Sequence, residues 1–215
     1  MELPRTLLKA SGILAAAALA YLILLAFPEP LFACSVTYSS LTFYSHSPLP
    51  EKTSALAAAV AERLATSEIF DPSINQRVFV VDWPALWNLL NGPYRRAIAR
   101  NVELRNSILV PSLDVESGVI RHFDGRESEA VGILVHEAVH TLVQRRIGVL
   151  RVWRLAWWQR EGYPEYVAGG GHGRPGAPER YRQAARIWKH LLEDRKLSFD
   201  QVIRLPATPT PAPES

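Results

Sequence analysis

Sulfur is almost missing from this chain: 215 residues include one cysteine, Cys34, and one methionine. A single thiol excludes any disulfide within the chain, so the fold must hold by packing alone. No clustered run of basic residues occurs, and the formal net charge is only +3. That is a poor footing for nucleic-acid binding, and no nucleic-acid partner is expected. The many arginines read as a solvated face, or as one near anionic lipid head groups. There is no internal repeat. At 48% apolar and 21% charged residues, the composition excludes wholesale disorder and fits one globular domain.

Charge is also missing from residues 10–28, a nearly continuous run of Ala, Leu, Ile, Tyr and Phe. A bilayer span needs about 20 apolar residues, so this run is expected to be a transmembrane helix. Arg5 and Lys9 before it would keep residues 1–9 in the cytoplasm and send the rest across, making a single-pass membrane protein with an exported domain. The alternatives are a lipoprotein acylated at Cys34 and a secreted form.

The remainder is punctuated into elements. Residues 35–45 alternate in part around Ser39-Ser40 and predict a hairpin. Leu56, Ala57, Val60, Ala61 and Leu64 recur at helical spacing within residues 51–70. Residues 77–82 read as a buried strand, residues 84–90 as a short helix, and Ser107-Ile108-Leu109-Val110 as another strand. Ser128 reads as the N-cap of a long helix that stops at Gly148. Further helices carry residues 161–168 and 178–192, and Ser198 caps a last turn. Strands first and helices later predict an α+β domain over residues 35–205, followed by a disordered Pro-rich tail at 206–215.

The strongest chemical signal is His136-Glu137-Ala138-Val139-His140. Residues four apart on a helix stand one turn above the other, so both imidazoles project the same way and can bind one zinc ion (Zn2+). Glu137 is turned by about 100° from His136, outside that ligand pair but beside the metal. There it can act as general base toward water that zinc acidifies to a pKa of about 7. Thr141 to Arg146 contain no third ligand, and about twenty residues on comes Arg160-Glu161-Gly162-Tyr163-Pro164-Glu165-Tyr166.

Together the two motifs resemble the gluzincin metallopeptidases, most closely the small bacterial peptidases of the MA-like domain type. The likeness covers residues 128–168 with specificity. It implies a zincin-like domain in which His136, His140 and Glu161 hold zinc and Glu137 is the catalytic base. Glu165, one helical turn beyond Glu161, is either a hydrogen-bond acceptor for the outer nitrogen of a ligand histidine or an exposed glutamate. Were Glu165 the ligand, Glu161 would take the outer role. Pro164 stands where the family has a small residue, and its missing amide hydrogen predicts a helix that starts close to Glu161. Candidate oxyanion donors are Tyr163, Tyr181 and His172, with Tyr166 and His190 also available. The expected function is a zinc peptidase acting on a peptide or protein substrate outside the cytoplasm. The other class is a non-catalytic, metal-stabilised exported module that binds a partner or envelope component.

Overall fold

A computed structural model describes residues 5–102, 105–171, 173, 174 and 176–207, with side chains from residue 12 onward. Helix α1 (Arg5–Ala26) leads into a hairpin of β1 (Cys34–Tyr38) and β2 (Leu41–Ser45), whose turn places Ser39 at φ 53°. After α2 (Thr53–Leu64) come β3 (Gln76–Val80), α3 (Pro84–Asn91), β4 (Arg100–Val102) and β5 (Ser107–Val110). These strands form one sheet in the order β1-β2-β3-β5-β4, with parallel pairs at its centre and an antiparallel pair at each edge.

Side-chain alternation gives this sheet two buried faces. Val78 and Val80 of β3 point into the main core with Phe43, Ile108 and Val110, beneath α2. Phe79, Val81 and Leu109 point the other way and are covered by Leu86, Trp87 and Leu90 of α3 and by Leu25 at the end of α1. A small antiparallel sheet of β6 (Leu113–Asp114), β7 (Val119–Arg121) and β8 (Glu127–Glu129) then delivers the chain to α4 (Ala130–Ile147). Helices α5 (Val149–Val152), α6 (Trp157–Ala168), α7 (Glu179–Lys189) and α8 (Phe199–Val202) complete an α+β domain.

The expectation of a transmembrane anchor is overturned. No helix among the described residues is long and apolar enough to cross a membrane. Helix α1 runs directly into the domain at its C-terminal end. Its last turns are also engaged by the domain: the Tyr21 hydroxyl donates to the Leu89 carbonyl at 2.7 Å, and Leu25 packs beneath the sheet. The single-pass membrane placement built on that anchor falls with it.

Four smaller differences follow. The cap of α4 is Glu129, whose carboxylate accepts from the amides of Val131 and Gly132, while Ser128 belongs to β8. The strands of the small sheet are two or three residues long, too short to carry a period. Helix α6 begins at Trp157, well before Glu161, with Gln159 accepting from the Ala156 amide, so Pro164 lies inside the helix and not in its first turn. Of the tail expected from 206, Ala207 is held by Trp158 Nε1 at 2.8 Å, and residues 208–215 lie outside the described residues.

Gly162 explains how α6 and α7 approach so closely. A Cβ there would sit 2.5 Å from Trp188 Cδ1 and 2.9 Å from the Ala184 carbonyl oxygen. Gly162→Ala is therefore expected to lower stability by about 2–3 kcal/mol in urea unfolding, through overpacking. A loss below about 0.5 kcal/mol, the size of an ordinary surface change, would show that the helices can part at little cost.

Candidate metal centre

Helix α4 is buried on most of its circumference: Ile133, Leu134, Val135, Ala138, Val139, Leu142 and Val143 all lie in the core. Its pitch leaves His136 and His140 on the one stripe that faces α6. The two Nε2 atoms are 3.3 Å apart, and Glu161 Oε2 lies 3.6 Å from His136 Nε2 and 3.5 Å from His140 Nε2. Three potential ligand atoms thus form a nearly equilateral triangle. The edge of a tetrahedron with zinc–ligand bonds of about 2.0–2.1 Å is about 3.3–3.4 Å, so the donor set fits zinc in both chemistry and spacing. Among the described residues these three alone make such a group.

Glu165 resolves the choice left open between two carboxylates. It lies one turn past Glu161 with no solvent exposure, and its Oε2 is 3.0 Å from His136 Nδ1. That contact orients the ring and directs Nε2 toward the triangle. Glu165 is in turn gripped by Arg174, whose backbone amide donates to Oε1 at 2.6 Å and whose Nε donates to Oε2 at 2.9 Å. Burial by itself would raise the Glu165 pKa; His136 and Arg174 outweigh it and keep the carboxylate below its ordinary value. Sequence reading missed Arg174, because it lies in a glycine-rich stretch without periodicity.

Burial disfavours a charged His136, yet Glu161 and Glu165 overcome this and raise its pKa to about 9. A metal entering the site must displace that proton. For Glu161 burial works against ionisation, but the two imidazoles hold it well below the usual carboxylate range. Its outer oxygen, Oε1, receives Arg160 Nε at 3.1 Å, which leaves Oε2 toward the histidines.

Glu137 lines a cleft of about 1260 Å³ together with His136, His140, Glu161 and Tyr181. Asn101 of β4 ties the sheet edge to this helix by donating to the Glu137 carbonyl at 3.0 Å and to Thr141 Oγ1 at 2.8 Å. Asn101 was another residue without a sequence signal, since only the fold brings it within reach of α4.

The candidate oxyanion donors separate. Tyr181 reaches the cleft, its ring 6.1 Å from that of His136, and burial followed by the nearby Glu161 raises its pKa. Tyr163 is instead core: its hydroxyl bonds Ser67 at 2.8 Å, its ring packs on Trp188 and Phe199, and burial pushes its pKa to about 12. Tyr166 donates to Glu193, and His190 pairs with Asp194, neither lining the cleft. His172 lies outside the described residues.

Comparison with protein-family models, with curated proteins and with solved structures finds no match to this chain.

The purified chain is expected to bind one zinc ion per molecule, and His136→Ala, His140→Ala and Glu161→Ala each to abolish stoichiometric binding, as read by metal analysis after dialysis. Undiminished zinc in all three would exclude this triangle as the site. Glu165→Gln keeps the shape of the side chain but removes its charge, and zinc affinity is expected to fall by about 10- to 100-fold in a chelator competition. An unchanged affinity would reduce Glu165 to a packing residue.

Proposed function

We propose that this chain is a zinc-dependent peptidase of the gluzincin type, with Glu137 as its general base. The observation that carries the reading is the triangle of His136, His140 and Glu161, edged by Glu137, which among the described residues belongs to neither the ligand set nor an ion pair. A purely structural zinc site closes its coordination with a fourth protein ligand. Among the described residues the group has three members, which favours a position left for reactants.

Zinc, when bound, supplies a Lewis acid that acidifies water and polarises a carbonyl. Glu137 then accepts the proton of the attacking water on its carboxylate and returns it to the departing amide nitrogen. Tyr181 donates its hydroxyl hydrogen to the oxygen that gains charge as the carbonyl becomes tetrahedral. Glu165, held by Arg174, keeps His136 in one tautomer and orientation throughout. Strand β4 is the sheet edge beside α4, paired only to β5 among the described residues, and its residues line the cleft. An extended peptide has the backbone groups to pair with such an edge.

Glu137→Gln is expected to retain zinc and fold while peptide cleavage falls by at least about 100-fold, the usual scale for loss of a general base. Cleavage equal to that of the parent in a zinc-quantified preparation would remove Glu137 from this role. Tyr181→Phe should lower kcat by about 100-fold with little change in KM, the pattern of an interaction made only in the transition state. A rise in KM at constant kcat would make Tyr181 a substrate-binding residue instead.

A further inference from the structure

Three buried side-chain amides among the described residues keep a carbonyl oxygen without a partner: Gln76, Asn91 and Gln144. Gln76 stands on β3 and Asn91 on α3, and neither lines the cleft; Gln144 does. It lies on α4 four residues past His140 and is 8% exposed. Helical side chains lean toward the N-terminus, so its terminal amide is carried back toward the candidate metal triangle. The neighbouring Asn101 fixes how that amide is turned. Asn101 is paired across β5 with Ile108, on the sheet face that α4 covers. Its Nδ2 donates to the Glu137 carbonyl, which can only accept, so Oδ1 is the end that meets Gln144. Gln144 Nε2 therefore donates to Asn101 Oδ1 at 3.1 Å, and Gln144 Oε1 is the atom left over.

A buried acceptor without a donor is unfavourable, and folded proteins leave few of them. On a cleft wall, one helical turn from a metal ligand, the missing donor can arrive with the molecule that the cleft binds. We infer that Gln144 Oε1 accepts a hydrogen bond from the substrate, and that the cleft selects peptides with a neutral donor side chain, a carboxamide or a hydroxyl, one or two residues from the cleaved bond. This rests on the peptidase reading and names its substrate class. The position follows from two repeats: a turn of α4 rises about 5.4 Å, and an extended peptide about 3.3 Å per residue. The donor is neutral because Gln144 offers a cation no counter-charge to offset its lost hydration. The terminal torsion of a glutamine is broad, so Oε1 follows an arriving donor while Nε2 stays with Asn101. A substrate without the donor leaves the acceptor unpaired, which discriminates far better than an apolar pocket that is merely the right size. Asn101 is the positioning residue, since it holds Gln144 and the Glu137 backbone to the same point of β4.

The test uses the full zinc-loaded chain and internally quenched peptides with blocked ends. Each position, from two residues before the cleavable bond to two after it, carries in turn Gln or its apolar isostere Met, and Asn or its isostere Leu. At one position the amide peptide is expected to show kcat/KM at least about tenfold above its isostere. In Gln144→Met that advantage should shrink to about twofold or less. Gln144→Glu keeps an acceptor and adds charge, so the preference at that position should move to Lys, a change that a packing role would not produce. Equal cleavage of amide and isostere by the parent at every position would overturn the inference and leave the peptidase reading intact, as would an amide advantage undiminished in Gln144→Met. Binding of the same peptides, labelled, to the zinc-loaded Glu137→Gln protein is followed by fluorescence polarisation, with and without Gln144→Met. An amide preference there that Gln144→Met removes, with no hydrolysis by the parent, would uphold the acceptor and sink the peptidase. Neither hydrolysis nor a binding preference would overturn both.

Discussion

A carboxylate with no access to solvent, Glu165, has to be kept charged inside the protein, and the site is arranged around that requirement. An unpaired buried ion costs several kcal/mol, so Glu165 is compatible with folding only when its partners arrive together. One partner, His136, comes from α4; the other, Arg174, comes from the loop after α6 and contributes both its amide and its guanidinium. The same contacts set the His136 ring so that its second nitrogen meets His140 and Glu161. Folding and the readiness of the site for metal are therefore one event, in which satisfying a buried charge positions a ligand.

Close approach between elements is the second condition. Gly132 leaves room for the Arg174 side chain, since a Cβ there would lie 2.9 Å from its Cδ, and Gly162 does the same for Trp188 on the opposite side of α6. The glycine beside Glu161 thus serves packing directly and the candidate metal site indirectly, because it fixes how near α6 can come to its neighbours while presenting Glu161 and Glu165 to α4. Pro164 within α6 removes one backbone donor, yet the helix persists, as its contacts with α4 and α7 outweigh the loss.

Much of this was legible from residue order. The four-residue spacing of His136 and His140 guaranteed a shared helical face, the apolar stripe of α4 marked that helix as core, and Gly148 ends it as expected. The hairpin at 34–45 and the strands around 76–80 and 107–110 also lie where their alternation and β-branched content put them. The uncharged N-terminal run shows the limit of such reading. Composition alone does not distinguish a helix surrounded by lipid from one whose end is packed beneath a sheet, and here Leu25 and Tyr21 are engaged by α3 and its neighbours.

Local rules therefore determined which side chains share a face, because helical and strand periods depend only on the chain's own geometry. Tertiary structure alone decided which of Glu161 and Glu165 meets both imidazoles, that Tyr181 faces the cleft while Tyr163 is buried against Ser67, and that Asn101 and Arg174 belong to the site at all. Those outcomes depend on the distance and rotation between elements that are far apart in sequence. Such quantities arise from core packing and from the pairing of buried charge, neither of which is written in the spacing of residues along one segment.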